Sequence, residues 1–263
     1  MKLVGVCQYD GSNFSGFQSQ VNADSVQDFL ESAISRVGTL NQRINYAGRT
    51  DAGVHAIGQV FDFDTIDSRE PEQWLNGINS GLPKDIVVTH IVSGEEGFHS
   101  RLDAISRSYA YVIYLGHIRS VFLRQLTSWA KYEIDIDLLQ SEAQHLLGTH
   151  DFSAFRGSKC TANNPNRTIE KIDIMHKDSF LIIKITANAF LYNMVRIIIG
   201  TLLDRARGHL QDDINAILDS KDRVRAGKTA PAHGLFFLGA RYNNLRIDSL
   251  TDSETLFQFL GMN

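Results

Sequence analysis

The chain has 263 residues, with 26 Lys and Arg against 30 Asp and Glu, a formal net charge of −4 and 43% hydrophobic residues. These values exclude a disordered tail, a collagen, a disulfide miniprotein and a membrane protein. The acidic balance also argues against a general nucleic-acid coat or a polybasic membrane binder, which need a cationic excess to neutralise phosphates.

Residues 3–9 read as a strand, and 25–37 as a helix whose Val26, Phe29, Leu30, Ala33 and Ile34 form one apolar stripe, with Asp24 or Ser25 as its cap. Two extended stretches follow, 44–47 and 56–63, joined by a glycine-containing loop, then a helix over 71–78 and a strand over 86–92. Strand, helix, strand, strand, helix, strand is the split βαβ order of ferredoxin-like domains. The second part predicts strands over 106–114 and 128–132, a helix over 137–147 opened by Asp137, and a hairpin of 169–175 with 180–187 turning at Lys177-Asp178-Ser179. An apolar helix over 190–207 stopped by Gly208, a shorter helix over 212–218 and a strand over 235–242 complete it. The expected fold class is α+β: two ferredoxin-like, RRM-like halves, 1–104 and 105–263, sharing a mainly antiparallel sheet with a central cleft.

Charge is uneven along the chain. Residues 62–96 carry −6, whereas 99–132 carry +4 and 155–207 carry +5, mostly as arginine and close to Tyr109, Tyr111, Tyr114, Phe155 and Tyr192. Scattered charge is ordinarily a solvated face, but arginine forks beside aromatic rings suit phosphates and unstacked bases. The two cysteines, Cys7 and Cys160, are too far apart for a disulfide framework or a paired zinc motif, so a reducing cytoplasm is expected. No apolar run approaches the roughly 18 residues of a membrane helix, so no membrane partner is expected.

The most informative segment is Tyr46-Ala47-Gly48-Arg49-Thr50-Asp51-Ala52-Gly53-Val54-His55. Its glycines and alanines let backbone approach something bulky, and Arg49 and Asp51 bracket a threonine between strands. On spacing alone this suits an ordinary loop ion pair. An aspartate beside guanidinium groups nevertheless keeps a low pKa and stays an ionised nucleophile near neutral pH.

Gly48-Arg49-Thr50-Asp51-Ala52-Gly53-Val54-His55 resembles the signature loop of the TruA-type tRNA pseudouridine synthases. Phe98-His99-Ser100-Arg101-Leu102-Asp103-Ala104 is similar to that family's F-H-A-R-F-x-A segment, with Ser100 and Leu102 replacing the commoner Ala and Phe. Arg107-Ser108-Tyr109-Ala110-Tyr111, the 151–156 segment, the 187–196 segment and Lys221-Asp222-Arg223 continue the match in family order. The resemblance implies that Asp51 is the catalytic carboxylate, attacking the target uridine at the ring or the sugar. It implies that Arg196 pairs with Asp51, that Arg49 fills or supports the gap left by the extruded base, and that Tyr109 stacks on the flipped uracil. Arg101, Arg107 and His55 are the further substrate-binding residues it points to. Extrusion costs a few kcal/mol and stacking returns about 1–3 kcal/mol per base. The substrate implied is tRNA, at uridines near positions 38 to 40 of the anticodon stem-loop, read largely by shape and single-strandedness. A homodimer with no cofactor and no metal is implied with it.

Two alternatives come from the residues. Exposed aromatics on ferredoxin-like sheets also make non-catalytic RNA-binding modules. Phe61-Asp62-Phe63-Asp64-Thr65 resembles the D-x-D-x-T of magnesium-dependent aspartyl-phosphate hydrolases, although the chain lacks the repeated βα pattern of that fold. The histidines form no H-x-x-x-H or H-E-x-x-H pair, and Gly227-Lys228-Thr229 lacks the upstream glycine of a P-loop.

Overall fold

A computed structural model describes residues 1–243 and 245. The chain divides into two units, the first formed by residues 1–107 with the described residues from Phe236 onward, the second by 108–235. The class is α+β.

In the first unit, β1 (Lys2–Tyr9), α1 (Val26–Val37), β2 (Asn45–Tyr46), β3 (His55–Asp64), α2 (Pro71–Ser80) and β4 (Ile86–Ser93) follow the expected order. Ser25 caps α1 by accepting from the Asp28 N–H, and Val26, Leu30, Ala33 and Ile34 form its buried stripe. Pro71 opens α2 behind a Glu70–Gln73 capping box, and Trp74 and Ile78 point inward. β1 lies between β4 and β3, antiparallel to both. The outer edge of β3 is shared: β2 pairs with its Phe61–Asp62 end, antiparallel. A later strand, β10 (Leu235–Arg241), pairs in parallel with His55 and Ala56 at the other end. The sequence places that strand in the second half, which was to begin at 105 and run to 263, its last residues lying outside those described. Parallel pairing over such a separation has no local signal, which is why the division falls elsewhere.

The second unit contains β5 (Ser106–Tyr114, its first two residues belonging to unit one), β6 (Ser128–Trp129), α3 (Ile136–Gln144), β7 (Gly148–Asp151), β8 (Asn166–Lys177), β9 (Phe180–Ala187), α4 (Met194–Ala206) and α5 (Ile214–Ser220). Its strands run in the order β5-β9-β8-β7, with β6 parallel to β5. The β8–β9 hairpin turns through Asp178 at φ +52, as its Lys-Asp-Ser tip suggests. Three local expectations are corrected. Asp135 caps α3, accepting from the Leu138 N–H, while Asp137 sits in its first turn. β7, whose sequence Gly-Thr-His-Asp has no apolar side chain to alternate, is not among the strands expected from the sequence. α4 begins at Met194 and not at 190, because Asn193 takes a left-handed conformation, φ +61, and Phe190 packs against Tyr109 instead. Apart from Arg196, Asp204 and Arg205, every residue of α4 is buried, as expected of a helix apolar all round.

Candidate active site

Asp51 lies on the connection between β2 and β3, and that connection is fastened at almost every residue. The β2–β3 ladder runs on through the Ala47 N–H to Val60 O, 2.9 Å. Beyond it the buried Gln59 side chain replaces a strand: its Nε2 donates to Gly48 O at 2.6 Å, and its Oε1 accepts from the Gly48 N–H at 3.2 Å. Thr50 turns inward and its hydroxyl meets the Tyr9 hydroxyl at 2.8 Å, both buried. The neighbours on either side, Arg49 and Asp51, are exposed and half-buried respectively. The Val54 N–H donates to Asp51 O at 3.1 Å, closing a turn whose third residue, Gly53, has φ +77.

The segment after β1 forms the bed of this loop. The Phe17 N–H donates to Thr50 O and the Gly53 N–H to Phe14 O. The Gly11 N–H donates to His55 Nδ1 at 3.0 Å, and Asp10 Oδ1 stands 3.1 Å from the same nitrogen. Glycine is required twice. A Cβ on Gly11 would meet Val54 O at 2.0 Å, and one on Gly16, at φ +91, would meet Thr50 O at 2.4 Å. His55 is buried and stacked on Phe236, centroids 4.8 Å apart.

A second loop, 98–104, carries Arg101. The Ser100 N–H donates to Asp62 Oδ1 at 2.7 Å, and Ser100 O accepts from the Tyr242 hydroxyl at 2.6 Å. Arg107 ties the two loops together: Nε donates to Ala47 O at 3.2 Å, Nη1 to Ala104 O at 2.9 Å and Nη2 to Arg101 O. Arg101 itself is exposed. Arg49, Arg101 and Arg43 all lie within electrostatic reach of the Tyr46 phenol. Burial pushes that phenol above its ordinary pKa, against the pull of the three guanidiniums, so it remains a protonated donor at neutral pH.

Asp62 and Asp64, offered to magnesium by the phosphohydrolase alternative, both hold Lys2, at 2.8 and 2.9 Å. Asp62 also accepts from Asn45 Nδ2 at 3.0 Å and from Ser100, so its oxygens are already engaged by the fold. Among the described residues, no three His, Cys, Asp or Glu side chains are grouped to hold a metal ion. No helix among them is long and apolar enough to cross a membrane.

Tyr109 and Arg196 belong to the second unit. Tyr109 is 8% exposed, with its ring edge-on to Phe190, centroids 5.1 Å apart. Tyr111 is fully buried, its hydroxyl donating to Pro231 O. Arg196, in the first turn of α4, donates from Nε to Ala230 O at 2.8 Å and from Nη1 to Asn193 Oδ1 at 3.1 Å, while its carbonyl accepts from the Ala230 N–H. The loop it grips crosses α4 at Gly200, where a Cβ would stand 1.7 Å from Lys228 O.

The loop motif at 48–55 and the segments around it are matched by a family model. The model for tRNA pseudouridine synthase covers residues 6–101 and 143–243. The chain belongs to the tRNA pseudouridine synthase family. A tRNA pseudouridine synthase A of Hydrogenovibrio crunogenus is 41% identical over 97% of this chain and 98% of its own. Proteins of the same name from Buchnera aphidicola and Francisella tularensis are 43% and 39% identical, each over 89% of this chain and over 89% and 92% of theirs. Among solved structures, a chain of a Cbf5-Nop10-Gar1 complex superposes with a TM-score of 0.39 at 10% identity, covering 98% of this chain and 57% of that one. Within this family of uridine-to-pseudouridine isomerases, the residues missed by sequence reasoning are Tyr9, Gly11, Gly16 and Gln59. Each is an ordinary strand or turn residue whose partner is distant in sequence.

Proposed function

We propose that this protein isomerises uridine to pseudouridine in tRNA, near positions 38 to 40 of the anticodon stem-loop, after flipping the base from its stack. Asp51 is the nucleophile. It attacks the ring or the ribose, the N1–C1′ bond breaks, a C5–C1′ bond forms, the C5 proton leaves to solvent and N1 gains one. The exchange is redox-neutral and transfers no group to a second substrate. What carries this reading is the placement of Asp51: a half-buried carboxylate on a loop whose backbone is held by Gln59 and the 11–17 segment and whose Thr50 hydroxyl is held by Tyr9, in a chain of this family. Such a carboxylate reaches its target without first having to be ordered. Arg49 supports the vacated position in the stack, Tyr109 stacks on the flipped uracil and Arg196 supports the charge of the carboxylate, as the resemblance implies. Arg101 contacts RNA, whereas Arg107 and His55 act by positioning the two loops.

The test is tritium release from tRNA labelled at C5 of uridine, without added metal. Asp51→Ala is expected to lose about 10³-fold or more in rate, in keeping with removal of a nucleophile elsewhere. Release by this variant at the wild-type rate would falsify the assignment. The enzyme acts in the cytoplasm as a homodimer, a reading supported by the resemblance; a monomer mass in light scattering at working concentration, with full activity, contradicts the dimer.

A further inference from the structure

We propose that Asn193 is a positioning residue of the reaction: its carboxamide, diverted from capping α4, fixes the plane of the Arg196 guanidinium. The inference rests on the proposed function, in which Arg196 supports the charge of the Asp51 carboxylate, and adds a residue to it. Asn193 stands at the N-cap of α4, where asparagine is favoured because its side-chain oxygen ordinarily accepts from a backbone N–H of the first turn. α1, α3 and α5 follow that pattern: Ser25, Asp135 and Asp213 are extended, and each accepts from the N–H three residues on, at Asp28, Leu138 and Ala216. Asn193 departs from it twice. Its backbone is left-handed, φ +61 and ψ +5, and its side chain makes no capping bond. Instead Oδ1 accepts from Arg196 Nη1 at 3.1 Å, again three residues on, but from the side chain and not the main chain.

Arg196 is held from a second direction, since Nε donates to Ala230 O at 2.8 Å and the Arg196 carbonyl accepts from the Ala230 N–H at 3.0 Å. A guanidinium is planar, so bonds from Nε and Nη1 to two separate acceptors fix its plane as well as its place. The uncharged carboxamide suits this task. A carboxylate would hold the arginine as firmly but would offset the positive charge on which support of Asp51 depends. A helix that forgoes its cap while the capping residue serves a side chain breaks a local rule with no local gain, which is a mark of function. Asparagine also tolerates the left-handed region, so the turn before α4 could by itself explain the residue. The two roles make different predictions.

The experiment measures single-turnover tritium release and tRNA binding by the full chain. Glycine adopts a left-handed backbone without strain, so Asn193→Gly keeps the turn and removes only the carboxamide. The rate is expected to fall about 10-fold, because a guanidinium free to swing loses orientation. Kd for an unmodified tRNA transcript is expected to stay within about 2-fold of wild type and the melting temperature to hold, since no capping bond is lost. Arg196→Lys keeps the charge and lacks the planar fork; it is expected to be slow, and adding Asn193→Gly to it is expected to slow it by less than about 2-fold more, because Asn193 acts through the guanidinium. A wild-type rate in Asn193→Gly overturns the proposal and leaves the residue as a turn former. So do losses that multiply fully in the double variant, a wild-type rate in Arg196→Lys, and a loss of affinity equal to the loss of rate, which would make Asn193 an RNA contact. Each of these leaves the Asp51 and Arg196 assignments standing, whereas tritium release at the wild-type rate by Asp51→Ala or Arg196→Gln would remove those assignments whatever Asn193 does.

Discussion

Gln59 occupies the point on β3 where β2 has run out but the loop still has a backbone N–H and C=O to satisfy. Its carboxamide supplies the donor and the acceptor that a strand would have supplied. Gln59→Leu keeps the bulk and strands both Gly48 groups, at a cost of about 1–3 kcal/mol in unfolding free energy. Single-turnover tritium release should fall by about 10–100-fold, because a misplaced loop loses orientation before it loses affinity. Stability and rate both equal to wild type would show that Gly48 needs no such partner. The Asp51 motif was legible in the sequence because its eight residues are contiguous. Its supports were not: Tyr9 and Thr50 are 41 residues apart and Gly11 and His55 are 44 apart, so only folding reveals that they meet. Arg107 illustrates the same limit, since nothing in the sequence shows that it donates to carbonyls of both loops.

At the scale of elements, one carboxylate joins β1, β2, β3 and the 98–104 loop. Burial pushes Asp62 up, but Lys2, Ser100 and Asn45 hold it below the usual carboxylate range. Burial pulls Lys2 down, and Asp62 and Asp64 hold it above its ordinary value. A depressed carboxylate stabilises the fold above its unfolded pKa, about 3.9, and loses that contribution as pH falls through the folded value. A raised lysine contributes fully below about 10.4 and loses its share as pH rises through its folded value. Both act at neutral pH. Urea unfolding below about pH 4 should therefore show a flatter acid limb in Asp62→Asn than in wild type. Asp62→Ala should cost about 3 kcal/mol near neutrality, at the low end for a buried pair because Asp64 still holds Lys2. An acid limb unchanged in Asp62→Asn contradicts this account. The helix α1 was legible because cap and apolar stripe agreed. α4 was misjudged at its start because apolar residues continue past the helix into a segment that packs on its own account.

For the whole molecule, net charge misleads and regional charge informs only partly. Arg107, Arg156, Arg167, Arg196 and Arg205, all from the two cationic segments, each donate to a backbone carbonyl. The arginine surplus thus serves loop architecture as well as any anion, a dual use that composition does not separate. The α+β class and the ferredoxin-like order of the first unit were readable from periodicity, but the return of β10 was not. A fragment ending at residue 107 lacks the partner of His55 and Ala56, the ring over His55 and the hydroxyl that holds Ser100. It is expected to show no cooperative thermal transition by circular dichroism; a sharp transition with native-like spectra would mean that the first unit folds without β10.

That same return sets a clock on synthesis. Between Arg107 and Phe236 a ribosome adds well over a hundred residues, which at about 5–20 residues per second takes on the order of ten seconds. During that interval the Asp51 loop exists without Phe236 over His55, and any chain released early carries Asp51 but not its full support. Prematurely terminated products are therefore expected to be inert toward tRNA although their 48–55 loop sequence is intact, and activity is expected only after β10 has been made.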